Sequence, residues 1–267
     1  MNKMEKALLE LGQMDELAVL RSPVHDRNAG AKLLCTVVYI VVVMSFDKYA
    51  LSGLVPMVLW PVLLFQISGL QVRTCFYKLR IVLPLVMAVG LFNPLFDRTI
   101  LLYIGTVGVS GGTISMLTLM LKGVLCLMAS FLLVATTPFD SICAALRQIH
   151  LPSTLVTLLL LTYRYVGVMT EELAVMTNAY HLRAPHQTGI EFKAWGSFLG
   201  QLLLRSMDRA QELYSSMLLR GYHQHFHYAP VKPFRAGDAV LVAVCCLFCF
   251  LLRCVNMGEV IGHLLVR

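Results

Sequence analysis

The sequence predicts an all-helical, polytopic membrane protein of about five spans with two crossed helices on its cytoplasmic side. Three observations predict it. Of 267 residues, 58% are hydrophobic and 14% charged, and the mean hydropathy is +0.73; a soluble domain carries about a quarter charged residues. Five apolar runs recur along the chain. Between the fourth and the fifth, residues 136–237 carry helical, amphipathic periodicity instead of further uniformly apolar runs.

Four runs fill the first half. The first, "LLCTVVYIVVVMSF", lies between Lys32 and Asp47, and is short for a span unless Lys32 and Lys48 snorkel at its ends. The second covers residues 51–70. The third covers 81–96 and ends in the irregular "NPLF". The fourth covers 113–135 after the turn signal "SGGT". The fifth, "DAVLVAVCCLFCFLL", begins at Asp238.

Positive charge sets the orientation. Lys3, Lys6, Arg21, Arg27 and Lys32 precede the first run, and Arg73, Lys78 and Arg80 fill the second connection. The first and third connections hold only Lys48 and Arg98, each beside an aspartate. The N-terminus is therefore expected in the cytoplasm. The expected domains are a cytoplasmic N-terminal segment (1–31), a four-span domain (32–135), a coupling domain on the cytoplasmic side (136–237) and a last span (238–267). The opening "MNKMEKALLELGQMDELAVLRSPVHDR" is charged and amphipathic and has no signal-peptide core. Of the eight cysteines, Cys35, Cys126, Cys245 and Cys249 lie inside apolar runs, so disulfides are not expected.

In the long cytoplasmic stretch, "TTPFD" is a helix start, with Thr137 as cap and Pro138 at the first helical position, and Pro152 opens the next helix. In that helix Met169, Leu173, Met176 and Tyr180 make one stripe; Arg183 is next in phase and Pro185 stops the helix. A second long helix repeats the pattern. Leu203, Ser206, Ala210, Leu213 and Met217 form a seam, with Arg205, Asp208, Arg209 and Glu212 off it. Arg220 is the next seam position and Gly221 ends the helix. Each apolar stripe thus terminates in an arginine followed by a small residue: Leu182-Arg183-Ala184 and Leu219-Arg220-Gly221. Cations and glycines suit helix C-termini in general. A matched pair at the ends of two packable helices also suits anchoring to a partner, since a guanidinium offers a rigid bidentate donor.

At these residues the chain resembles the transmembrane T component of energy-coupling factor importers, most closely the cobalt-type CbiQ branch. The carrying stretches are the two arginine motifs, "SPVHDRNAGAKLL" at 22–34, "TTPFD" at 136–140 and "LLLLTYRYVGVMTEELAVM" at 158–176. Alanine replaces one motif glycine at 184, and the histidines after the second motif are also a departure. The resemblance implies a non-catalytic scaffold that joins two ABC ATPase subunits, which bind the ATP, to a small substrate-binding membrane subunit that selects a metal ion. It also implies cobalt as the cargo, Arg183 and Arg220 as the ATPase anchors, no cofactor in this chain, and a bacterial inner-membrane location. The same scaffold could instead serve nickel or a vitamin such as biotin, thiamine or riboflavin.

The glycine cluster at 105–113 lacks the lysine of a phosphate-binding loop, so this chain is not expected to hydrolyse ATP. His223, His225 and His227 alternate, so an extended segment would aim all three at one metal ion, but the same spacing suits a polar loop returning to the membrane past Pro230. Cys246 and Cys249 have CxxC spacing inside an apolar span, where cysteine serves as a small apolar residue. Lys122 lies inside the fourth run and either pairs or snorkels. Tyr163, Arg164 and Tyr165 read as a structural anchor near the interface. An intramembrane enzyme is the rival class, yet the runs hold no HExxH, no GxSxG and no paired aspartates. The net charge of +7 suits anionic lipid or an acidic partner rather than nucleic acid in particular.

Overall fold

The computed structural model describes residues 17–18, 20, 22–70, 75, 80, 83–92, 100–104, 107–149, 151–185, 187, 189–222 and 234–254. The chain divides into two compact units. The first is built from Leu17–Pro138 and Val231–Arg267, and the second contains Phe139–Pro230.

The first unit holds α1 (Ala29–Met44), α2 (Leu51–Ser68), α3 (Leu83–Leu91), a hairpin of β1 (Ile100–Ile104) and β2 (Val107–Ser110), α4 (Gly111–Thr136) and α8 (Ala236–Cys254). The helices match the apolar runs in order, as expected. The hairpin is an addition to the all-helical expectation. Its strands are antiparallel, with Ile104 opposite Val107 and Tyr103 opposite Gly108. Ile100, Ile104, Val107 and Val109 supply the β-branched residues that favour pleated backbone. The "NPLF" end of the third run lies outside the described residues.

By length and composition α2, α4 and α8 can each cross a membrane, and α1 is a shorter apolar helix. At 16 residues α1 is about 24 Å long, less than a hydrocarbon core. Its ends are held by side chains from its neighbours. At the start, Asn28 caps the helix by accepting from the Gly30 N–H at 2.8 Å. The Asn28 N–H donates to Asp238 Oδ1 at 3.2 Å, and Asp238 Oδ2 accepts from the Arg235 N–H at 2.9 Å. One buried carboxylate therefore serves the N-termini of α1 and α8 together, where helix dipoles favour negative charge. Arg27 lies against it at 4.0 Å and over Gly237, where a Cβ would collide with the guanidinium.

At the other end of α1, Lys122 from α4 donates to the carbonyls of Phe46 and Met44. Arg253 from α8 donates to the Ser45 carbonyl at 3.2 Å and lies 4.8 Å from the centre of the Phe46 ring. Lys122 is thus half-buried and bonded to the end of a neighbouring helix. The C-terminus of α4 is treated alike. Lys32, buried near the start of α1, donates to the Thr136 carbonyl at 2.7 Å, the Thr137 hydroxyl at 3.3 Å and the His25 carbonyl at 3.3 Å.

Between these ends lies an apolar core that includes Cys35, Tyr39, Val43, Leu54, Met57, Leu125, Ala129, Cys245 and Cys249. Tyr39 is fully buried and donates to the Met57 carbonyl at 2.9 Å. Pro61 has no N–H, so Met57 lacks its donor four residues on, and Tyr39 supplies one. Of the CxxC pair, Cys249 is buried in the core and Cys246 is exposed. Among the described residues no group of histidines, cysteines and carboxylates could hold a metal ion.

The second unit holds α5 (Phe139–Gln148), α6 (Ser153–Arg183) and α7 (Trp195–Leu219), the last preceded by a short 3-10 turn at Phe192–Ala194. The helix predicted to open at Pro138 begins one residue later, at Phe139. The Phe139 ring stacks on Tyr163 at 4.1 Å between centroids, which joins α5 to α6 and gives Tyr163 its anchoring role. By length and composition α6 can also cross a membrane, where the sequence reading kept it on the cytoplasmic side; its hydropathy of 1.2 is the lowest of the four candidate spans.

Two outcomes follow. Lys32→Met strands the Thr136 carbonyl, and should destabilise the protein by about 1–3 kcal/mol in thermal unfolding in detergent. His25 is buried; its Nε2–H donates to the Leu17 carbonyl at 3.1 Å, and its Nδ1 accepts from Ser22 at 2.7 Å. Burial holds its pKa below the usual 6.5; the Leu17 bond opposes this, and the Lys32 ammonium adds to it. The unfolded chain thus takes up the proton first. Stability present above about pH 6.5 should be lost as pH falls below it, with a shallower slope in His25→Gln, read as melting temperature against pH.

Candidate coupling site

The two arginine motifs end the two long helices, α6 and α7, and the ends are exposed. Leu182 is 84% exposed and Leu219 is 91% exposed, and Arg183 and Arg220 beside them are exposed too. A leucine this bare at each of two helix ends is unsatisfied apolar surface beside a cation, the composition of a docking contact. Phe192, 93% exposed just before α7, adds a third such residue. Its exposure depends on how the connection folds, so periodicity gave no sign of it.

The two ends look alike in sequence but are built differently. At α7 the Gly221 N–H bonds to the Leu218 carbonyl at 3.0 Å and the Tyr222 N–H to the Met217 carbonyl at 3.0 Å. This is the paired closure that requires a left-handed residue, and Gly221 has φ +81°. A Cβ there would meet nothing within 4 Å in this chain, so the glycine is needed for its backbone rather than for internal room. At α6, Ala184 has φ −130° and its N–H bonds to the Tyr180 carbonyl at 3.0 Å. Pro185 ends that helix and confines the residue before it to extended backbone, so no glycine is required. The Tyr180 hydroxyl then pins the connection, donating to Gln187 Oε1 at 2.7 Å and accepting from the Glu191 N–H at 3.3 Å.

The stripe on α6 is half-buried at Met169, Leu173, Met176 and Tyr180, as its spacing predicted. The seam on α7 holds at three of its five positions. Phe198, Leu202, Ser206, Leu213 and Met217 are half-buried, whereas Leu203 and Ala210, placed on the seam from sequence, are exposed. The charged residues read as lying off the seam face α6 instead. Arg205 pairs with Glu172, and Met169, Glu172, Arg205, Asp208, Arg209 and Glu212 line one crevice. A flanking face of α7 exposes Leu199, Leu203, Met207, Tyr214 and Leu218. The three histidines at 223, 225 and 227 lie outside the described residues, and Arg164 is exposed.

The family of CbiQ, described as cobalt transport proteins, matches residues 21–228. This chain belongs to that family. CbiQ of Rhodobacter capsulatus, named a cobalt transport protein, is 31% identical over 102 residues, covering 38% of this chain and 42% of its own length. LarQ of Lactiplantibacillus plantarum, named a nickel permease, is 32% identical over 91 residues, covering 34% and 33%. The uncharacterized protein MJ1571 of Methanocaldococcus jannaschii is 24% identical over 126 residues, covering 45% and 43%. The chain thus spans between a third and just under half the length of these curated relatives. The CbiQ match includes both arginine motifs and the three stretches that carried the resemblance. Two of these meet through Lys32 and Thr136–Thr137, and two through Phe139 and Tyr163. This member of the CbiQ family is a multi-pass helical membrane protein.

The difference between the two motif ends is measurable. Gly221→Ala should cost about 1–2 kcal/mol of the last turn of α7, read as faster hydrogen exchange there, while Ala184→Gly should change α6 by less than about 1 kcal/mol.

Proposed function

We propose that this protein is the non-catalytic T component of an energy-coupling factor importer for cobalt in a bacterial inner membrane. The observation that carries the reading is the pair of exposed Leu-Arg-small ends on α6 and α7 in a member of the CbiQ family. In this reading both helices lie on the cytoplasmic side, with the N-terminus there as the lysine and arginine distribution implies. Arg183 and Arg220, with Leu182 and Leu219, seat in two ABC ATPase subunits that bind ATP. Ala184 and Gly221 let those partners come close. The exposed apolar face of α7, from Leu199 to Leu218, suits a small, metal-binding membrane subunit. ATP-driven closure of the ATPases would draw the two ends together, and packed helices would carry that motion to the substrate subunit as a rigid-body shift.

Nickel is a second cargo reading. The relative named a nickel permease is as similar, at 32%, as the relative named a cobalt transport protein, at 31%.

The test is co-purification with the ATPases and uptake of labelled cobalt and nickel in whole cells. Losing one buried, paired guanidinium costs about 2–5 kcal/mol. Arg183→Glu with Arg220→Glu should therefore abolish both ATPase recovery and uptake. Wild-type recovery and uptake in the double variant would sink the reading, and the preferred ion in wild-type cells decides the cargo.

A further inference from the structure

The contact between α6 and α7 has an unusual composition for two amphipathic helices. No described side chain of α7 is fully buried, so burial does little to fix where it lies on α6. Apolar contact is also non-directional and tolerates sliding. The directional element is the pair of Glu172 and Arg205, whose side chains are 25% and 44% exposed. Around it opens a crevice of about 230 Å³ lined by further charged groups.

We infer that Glu172 and Arg205 are positioning residues, the fulcrum that sets the register of α6 on α7. The inference deepens the proposed coupling role and rests on it. Glu172 precedes Arg183 by 11 residues and Arg205 precedes Arg220 by 15, so by helix rise the two arms are about 16 and 22 Å long. Any slip at the crossing is passed in full to the arginine ends. A slip of one helical turn, about 5.4 Å, would offer Glu172 the next arginine on that face, Arg209. Glu212 holds Arg209 at 3.8 Å, which lowers the gain from that alternative. A solvent-accessible pair contributes little net stability, but a charged, directional contact distinguishes registers that apolar contact leaves equivalent.

Reversal is the informative change. Arg205→Glu places a fourth carboxylate beside Glu172, Asp208 and Glu212, and the helices are driven out of register. The experiment uses the complex purified from native membranes, with ATPase recovery, ATP hydrolysis and metal uptake measured side by side. Arg205→Glu and Glu172→Arg should each keep ATPase recovery and hydrolysis while uptake per ATP falls at least about fivefold. The combined Glu172→Arg, Arg205→Glu protein should recover most of the loss, which general damage to the fold would not allow. Wild-type uptake in the single variants, failure of the exchanged pair to recover, or loss of ATPase recovery in either single variant would each overturn the fulcrum. The variant with both anchors reversed, Arg183→Glu with Arg220→Glu, run in parallel, separates the two ideas. If it keeps its ATPases, the coupling reading itself has failed.

Discussion

Backbone satisfaction at helix ends is the constraint on which the first unit depends. A bilayer offers no water to a bare carbonyl or N–H, and α1 is too short to carry both its ends to the interfaces. Its neighbours reach in instead. Asp238 serves the starts of α1 and α8, Lys122 and Arg253 serve the end of α1, and Lys32 serves the end of α4. Each charge sits at the helix pole that favours it, carboxylate at N-termini and cations at C-termini. The same bonds tie α1, α4 and α8 together, so the charges that complete the backbone also fix the packing.

The second unit follows a different rule. Its helices bury little and leave apolar side chains open along α7 and at both motif ends. Such a surface is costly in an isolated chain and reasonable in one that is completed by partners. The two ends are closed by different backbone devices, a left-handed glycine after Arg220 and a proline after Ala184. They still present the same chemistry, a bare leucine beside a guanidinium. Alanine suits 184 because the proline after it removes any need for positive φ there.

Charge plays opposite parts in the two units. In the first, Asp238 and Lys32 are buried and Lys122 half-buried, and each is bonded to backbone. At the crossing of α6 and α7 charge is water-accessible, side chain to side chain, and surrounded by alternative partners. The first arrangement resists movement because breaking a bond strands a carbonyl. The second discriminates between registers through direction and sign rather than through burial.

The sequence by itself determined the helical membrane class, the order of the apolar runs, the two long helices and their arginine ends. These rest on hydropathy, periodicity and helix-stop residues, which are local properties of the chain. The α6 stripe was legible because a large apolar or aromatic side chain recurs every three or four residues, about once per turn. The α7 seam was right at Ser206, Leu213 and Met217 and wrong at Leu203 and Ala210, because apolar residues occupy more than one face of that helix and periodicity cannot say which face meets a neighbour. The hairpin before α4 falls in the connection between the third and fourth runs, to which hydropathy assigned no element. Only the tertiary structure decided that Lys122 is bonded to the end of α1, that Asp238 serves two helices, and that Arg205 meets Glu172 at the crossing. Those are contacts between residues 33 to 210 positions apart, set by how helices pack rather than by any pattern along one of them.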